Sequence, residues 1–92
     1  MGPKKKQIER NQRFVSRIKE ENCCIDCEHF FPACAMDFDH VQGEKVAGVA
    51  KLVISGCSLD KISLEIEKCE LVCACCHRIR TASRLLDKYA YL

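Results

Sequence analysis

The apolar positions of this chain change period along its length, and the changes mark out its elements. Between residues 7 and 21, Ile8, Val15 and Ile18 fall near one face at helical spacing, with Phe14 beside Val15 and charges filling the rest. That spacing predicts a helix that stops near Asn22. "CCIDCEHFFPA", residues 23–33, breaks the period with clustered cysteines and Pro32, and predicts a turn carrying Cys24 and Cys27. In "CAMDFDHVQG", residues 34–43, the period becomes two: Met36 and Phe38 point one way, Asp37 and Asp39 the other. A short strand ending near Asp39–His40 follows, then a loop through Gly43. Val46, Val49, Ala50 and Val53 return to helical spacing, with Gly56 as the stop. Residues 58–68 predict another helix, with Ser58 as N-cap, Asp60 in the first turn, and a stripe of Leu59, Ile62, Ile66 and Cys69. "CELVC", residues 69–73, reads as a short strand into a second cysteine turn. Residues 76–89 read as a final helix whose Ile79, Leu85 and Leu86 are available to pack.

At 92 residues the chain has room for one domain with a modest core, the size class that often needs a disulfide or a metal as a staple. Nine cysteines change the picture. No apolar run follows the basic N-terminus, and none approaches the roughly 18 residues of a membrane span. The expectation is an intracellular, reducing compartment (host cytoplasm or nucleus), with no membrane partner. There paired cysteines bind metal more often than each other, and an odd count argues against a closed disulfide framework. Charge is segregated. Residues 1–22, read as a basic N-terminal helix, carry seven Lys and Arg against three Glu; residues 23–76 carry four lysines against nine acids; residues 77–92 carry four basic residues against Asp87. Basic ends suit a polyanion and an acidic centre suits a bound cation.

Two Cys-x-x-Cys units stand out, Cys24–Cys27 and Cys73–Cys76, separated by 45 residues. Each two-residue spacer lets a tight turn place two sulfurs on one ion, and two such turns make the four-thiolate tetrahedron of a structural zinc. Cys23 in place of Cys24, or Cys75 in place of Cys76, would break the spacer. Cys34, Cys57 and Cys69 are expected as small buried apolar residues. Zinc leaves Asp39, His40 and His77 unexplained. Once the two turns meet, Asp39 and His77 can approach around a second, harder cation, while His40, pointing the other way along the strand, is free to act as a base. Alternatively His77 caps its neighbourhood or replaces a zinc ligand, and His40 is a polar surface residue.

Taken in order, "CIDC" (24–27), "MDFDHVQGEK" (36–45) and "SLEIEKCELVCACCHRIRT" (63–81) resemble the HNH endonuclease family, in a Cys-rich subgroup of phage and viral type. The resemblance spans residues 23–81. It implies a small α+β fold, a ββα-metal finger with mostly helical surroundings, occupying residues 23–92 as the nuclease domain. It also implies hydrolysis of DNA phosphodiester bonds. His40 would be the general base, Asp39 and His77 would ligate a catalytic Mg²⁺ or Mn²⁺, and Cys24, Cys27, Cys73 and Cys76 would hold Zn²⁺. A cation with two protein ligands keeps positions open for the scissile phosphate. The chain departs from the family pattern at Lys68, where the family carries Asn; Lys68 itself, Glu65 and Glu70 are the candidates to substitute for it. Cys75 also stands where the subgroup has Asn. Arg78, Arg80 and Lys45 are the candidates for contact with DNA, mainly its phosphate backbone. The reading from another class is a zinc-bound DNA-binding module without turnover.

Overall fold

The computed structural model describes residues 4–88. Its elements are α1 (Lys4–Glu21), a 3₁₀ turn (Ala33–Ala35), β1 (Met36–His40), α2 (Val49–Ile54), α3 (Leu59–Ile66), β2 (Cys69–Cys73) and α4 (Ala74–Lys88). The result is a small α+β fold: among the described residues, one two-stranded antiparallel sheet and four α-helices. None of the described helices is long and apolar enough to cross a membrane.

Helix α1 starts three residues before the predicted position, because Lys4, Lys5 and Lys6 are good helix formers and lengthen the helix without an apolar face of their own. It ends as expected: the Asn22 side chain donates to the Ile18 carbonyl at 2.8 Å. The helix expected across residues 44–56 shrinks to Val49–Ile54. Gly48 is extended at its start, and Val46 leaves the apolar stripe to stand exposed. At its other end Gly56 takes φ +72, its N–H reaches the Val53 carbonyl (3.1 Å) and the Cys57 N–H reaches Leu52 (3.3 Å). This paired closure is where a glycine is cheapest. Helix α3 begins under Ser58, whose hydroxyl accepts from the Lys61 N–H at 3.2 Å.

Helix α4 starts two residues early, directly out of β2, and runs to Lys88; residue 89 of the predicted helix lies outside the described residues. Ile79, Leu85 and Leu86 do not pack: they are 63%, 43% and 50% exposed. The helix is held by its polar face instead.

Strands β1 and β2 pair from Met36↔Cys73 to His40↔Cys69. Because side chains alternate, Asp37, Asp39, Glu70 and Val72 share one face, and Met36, Phe38, His40, Cys69, Leu71 and Cys73 the other. Apolar packing forms two small clusters. Val15, Val49, Leu52, Val53 and Ile62 bring α1, α2 and α3 together, with Phe38, Ile66 and Cys69 against them. Met36 and Val72 instead pack with Cys24 and Cys73. Cys57 and Cys69 are half-buried, as small apolar residues, but Cys34 is exposed, because the 3₁₀ turn before β1 faces it outward.

A polar pin joins α1 to the end of α2. Asn11, 0% exposed, donates from Nδ2 to the Cys57 carbonyl at 3.0 Å and the Val53 carbonyl at 3.3 Å. Arg10 donates to the same Cys57 carbonyl at 2.9 Å and to Asn11 Oδ1. Asn11→Ala leaves these acceptors short of donors in a buried place, and should lower unfolding free energy by about 1–3 kcal/mol in a chemical-denaturation measurement. A change within a few tenths would show that the Arg10 bond to the Cys57 carbonyl carries the junction.

Candidate metal centre and the faces of the sheet

Each Cys-x-x-Cys unit is built by its own backbone. In the first, the Cys24 N–H donates to the His29 carbonyl (2.9 Å), the Glu28 N–H to the Cys24 carbonyl (2.8 Å), and the Cys27 N–H to Cys24 Sγ (3.5 Å). Glu28 closes this turn at φ 63. The Ile25 N–H donates to the Leu71 carbonyl at 2.9 Å, which fastens the turn to β2. In the second unit Cys73 ends β2 and Cys76 lies in the first turn of α4, where its N–H donates to Cys73 Sγ at 3.4 Å.

The Sγ atoms of Cys24, Cys27, Cys73 and Cys76 all lie within 4.8 Å of one another, and Cys27 and Cys73 are 4.0 Å apart. A tetrahedral zinc with bonds of about 2.3 Å separates its sulfurs by about 3.8 Å, so the four can form a site for a metal such as zinc. Cys23 and Cys75 stand outside this cluster. Burial opposes ionisation of the Cys24 thiol, but N–H groups of Cys27, Cys73 and Asp26 outweigh it and bring the thiol down to about 6. The Cys76 thiol is pushed up, first by its hydrogen bond with Cys73 and then by burial. Four sulfurs this close cannot all carry charge unaided, and a divalent cation removes that conflict.

The acidic face of the sheet lies under α4, whose His77, Arg80 and Arg84 recur at the spacing of one helix face. His77 Nδ1 donates to Asp37 Oδ2 at 2.9 Å, which turns Nε2 toward Asp39 Oδ1 at 3.7 Å. Asp39 is 5% exposed and also meets two guanidinium groups. Arg84 reaches it at 2.6 and 3.1 Å, and Arg80 at 2.8 Å. The Arg84 hydrogen bond, outweighing burial and reinforced by Arg80, holds the Asp39 carboxyl down at about 2. Arg80 further spans Asp26 (2.7 Å, two bonds) and Glu70 (2.8 Å), joining the first cysteine turn to both strands.

On the opposite face His40 turns to α3. Its Nε2 lies 2.8 Å from Glu65 Oε2. The structure thus brings Asp39 and His77 together, the four cysteines together, and His40 to a different partner. Among the expected DNA contacts, Lys45 and Arg78 are exposed, and Arg78 flanks an open groove with Asp37, Ala74, His77 and Thr81. Arg80 spends its donors on three carboxylates. The sequence reading did not single out Asp26 or Asp37 for a role. Asp37 carried a legible signal, since it shares the strand face of Asp39; Asp26, inside a turn, carried none. Comparison with protein-family models, with curated proteins and with solved structures finds no match.

Proposed function

We propose that β1, β2 and α4 form a ββα-metal finger of HNH type, closed by zinc on Cys24, Cys27, Cys73 and Cys76, and that the protein hydrolyses DNA phosphodiester bonds. One observation carries this reading: Asp37 fixes the His77 ring so that Nε2 and Asp39 Oδ1 face each other at 3.7 Å. Two lone-pair donors, one from a strand and one from a helix, with a carboxylate behind the imidazole, are the usual surroundings of a bound cation. Mg²⁺ or Mn²⁺ held there would neutralise charge developing on the phosphate. His40, one residue along, is the base that takes a proton from the attacking water. Lys45, Arg78 and, on α1, Lys5, Lys6, Arg13 and Arg17 are exposed and suit phosphate contacts.

A second reading has its own observation. Both oxygens of Asp39 are already engaged by Arg80 and Arg84. That arrangement suits a zinc-bound DNA-binding module without turnover.

The two readings part on supercoiled plasmid incubated with Mg²⁺ or Mn²⁺. The nuclease reading expects relaxed or linear product, a rate lower by about 10²–10⁴ for His40→Ala, and no product for His77→Ala. Binding without cleavage under every divalent ion would favour the second reading. Loss of neither rate nor product in either variant would overturn the assignment of the site.

A further inference from the structure

We propose that Glu65 is the positioning residue for His40: its carboxylate holds the Nε2 proton of the ring and leaves Nδ1 as the nitrogen that accepts a proton. The catalytic consequence rests on the nuclease reading; the pairing itself does not.

Glu65 interrupts the apolar stripe of α3 and is 3% exposed. A carboxylate in that place needs a partner for each oxygen. Oε1 accepts from Lys68 Nζ at 3.0 Å. Oε2 accepts from the Val46 N–H at 3.2 Å and faces His40 Nε2 at 2.8 Å. Burial would raise this carboxyl, but Lys68, His40 and the Val46 amide together hold it down at about 2. An ionised carboxylate only accepts, so the ring nitrogen facing it must carry the proton. His40 Nδ1 makes no hydrogen bond among the described residues.

The same group fixes the segment that follows His40. Lys68 Nζ donates to the Glu44 carbonyl at 2.7 Å, and its stem lies against Gly43, where a Cβ would meet it at 3.4 Å. The Val41 and Gln42 N–H groups share the Lys68 carbonyl at 2.9 and 3.2 Å. Ring orientation and loop position therefore come from one pair, Glu65 and Lys68. In the reaction, the water oxygen bonds to phosphorus while its proton passes to Nδ1. The departing oxygen keeps the P–O bond pair and takes a proton from solvent. The imidazolium so formed sits against a carboxylate already in place.

The test is a ¹H–¹⁵N long-range spectrum of the ¹⁵N-labelled, zinc-loaded full chain, together with plasmid cleavage. We expect His40 to show an Nε2 proton protected from water exchange and an unprotonated Nδ1. Glu65→Ala should lose that protected proton, and kcat should fall about 10–100-fold with KM little changed. Glu65→Gln, whose amide oxygen can still accept, should keep the proton and recover part of kcat. A native ring protonated on Nδ1, a Glu65→Ala spectrum unchanged at His40, or a Glu65→Ala kcat equal to the native value would overturn the proposal. The native spectrum and Glu65→Gln keep the test decisive if Glu65→Ala does not fold. A plasmid left uncut by the native chain counts against the nuclease reading and not against the pairing, which the proton signal decides by itself.

Discussion

Removing metal from the cysteine cluster is expected to unfold the protein. Its apolar packing is divided, and one of the two clusters consists largely of the cysteines themselves: Cys24 and Cys73 pack with Met36 and Val72, with Cys27 and Cys76 against them. Without a cation, nothing joins the four sulfurs, and that half of the molecule keeps only Met36 and Val72, with Phe31 and Leu71 against them, as apolar packing. Structural zinc binds with an apparent ~10–16 kcal/mol, which equals or exceeds the whole stability of an ordinary domain, about 5–15 kcal/mol. Metal analysis should find about one zinc per chain. Chelation should abolish the cooperative thermal transition seen by circular dichroism, and Cys24→Ser should do the same at any practical zinc concentration. Cys23→Ser and Cys75→Ser, which lie outside the cluster, should leave the transition in place. A zinc-free protein with a native transition would refute the four-cysteine assignment.

Asp39→Ala should produce the second large effect, on stability and, under the proposed nuclease function, on cleavage as well. The carboxylate is nearly inaccessible and holds α4 to β1 through Arg80 and Arg84. Its loss leaves part of the Arg80 guanidinium buried against fewer carboxylates, and breaking a buried charged pair costs about 3–5 kcal/mol. The low end, about 3 kcal/mol, is expected here, because Arg80 keeps Asp26 and Glu70 and Arg84 is half exposed. Because Asp39 is held down at about 2, this contribution is fully present above its ordinary value of 3.8 and fades as pH falls through the lower one. Asp39→Asn separates structure from chemistry. It keeps the shape and some hydrogen bonds but is a poor ligand, so cleavage should disappear while most of the melting temperature survives. Asp39→Asn cleaving at the native rate would remove Asp39 from the site, whatever its place in the fold.

Much of this architecture was legible in residue patterns. The alternation in "MDFDH" gave β1 and its two faces, the paired Cys-x-x-Cys spacing gave the cysteine cluster, Ser58 opened α3, and Gly56 and Asn22 closed the helices before them. The apolar content of α4 misled, because Ile79, Leu85 and Leu86 suggest a packed face, whereas the helix docks by His77, Arg80 and Arg84. Arg80 reads in the sequence as a phosphate contact, and the fold also gives it Asp39 on β1 and Glu70 on β2 as partners. Charge segregation was visible along the chain; that part of it would be neutralised internally was not, since it depends on sheet register. Glu65 shows the same limit. A carboxylate on an apolar stripe is a visible irregularity, but its partner, His40, lies 25 residues away at the end of β1.

The pairing of residues 24 and 27 with 73 and 76 also bears on how the chain reaches this state. The sheet register, Met36↔Cys73 to His40↔Cys69, is nested inside the ring that those cysteines close. The cysteine ring encloses the 45 residues between Cys27 and Cys73, and the sheet the 28 between His40 and Cys69; the entropy of closing such loops is spent early while its rewards come late. Helices α2 and α3, adjacent in sequence and packed together around Ile62, can assemble first and shorten that ring from within. On that order of closure the cysteine pairs meet last, and a metal bound by them would act as a latch on a chain already mostly collapsed rather than as the nucleus from which it grows.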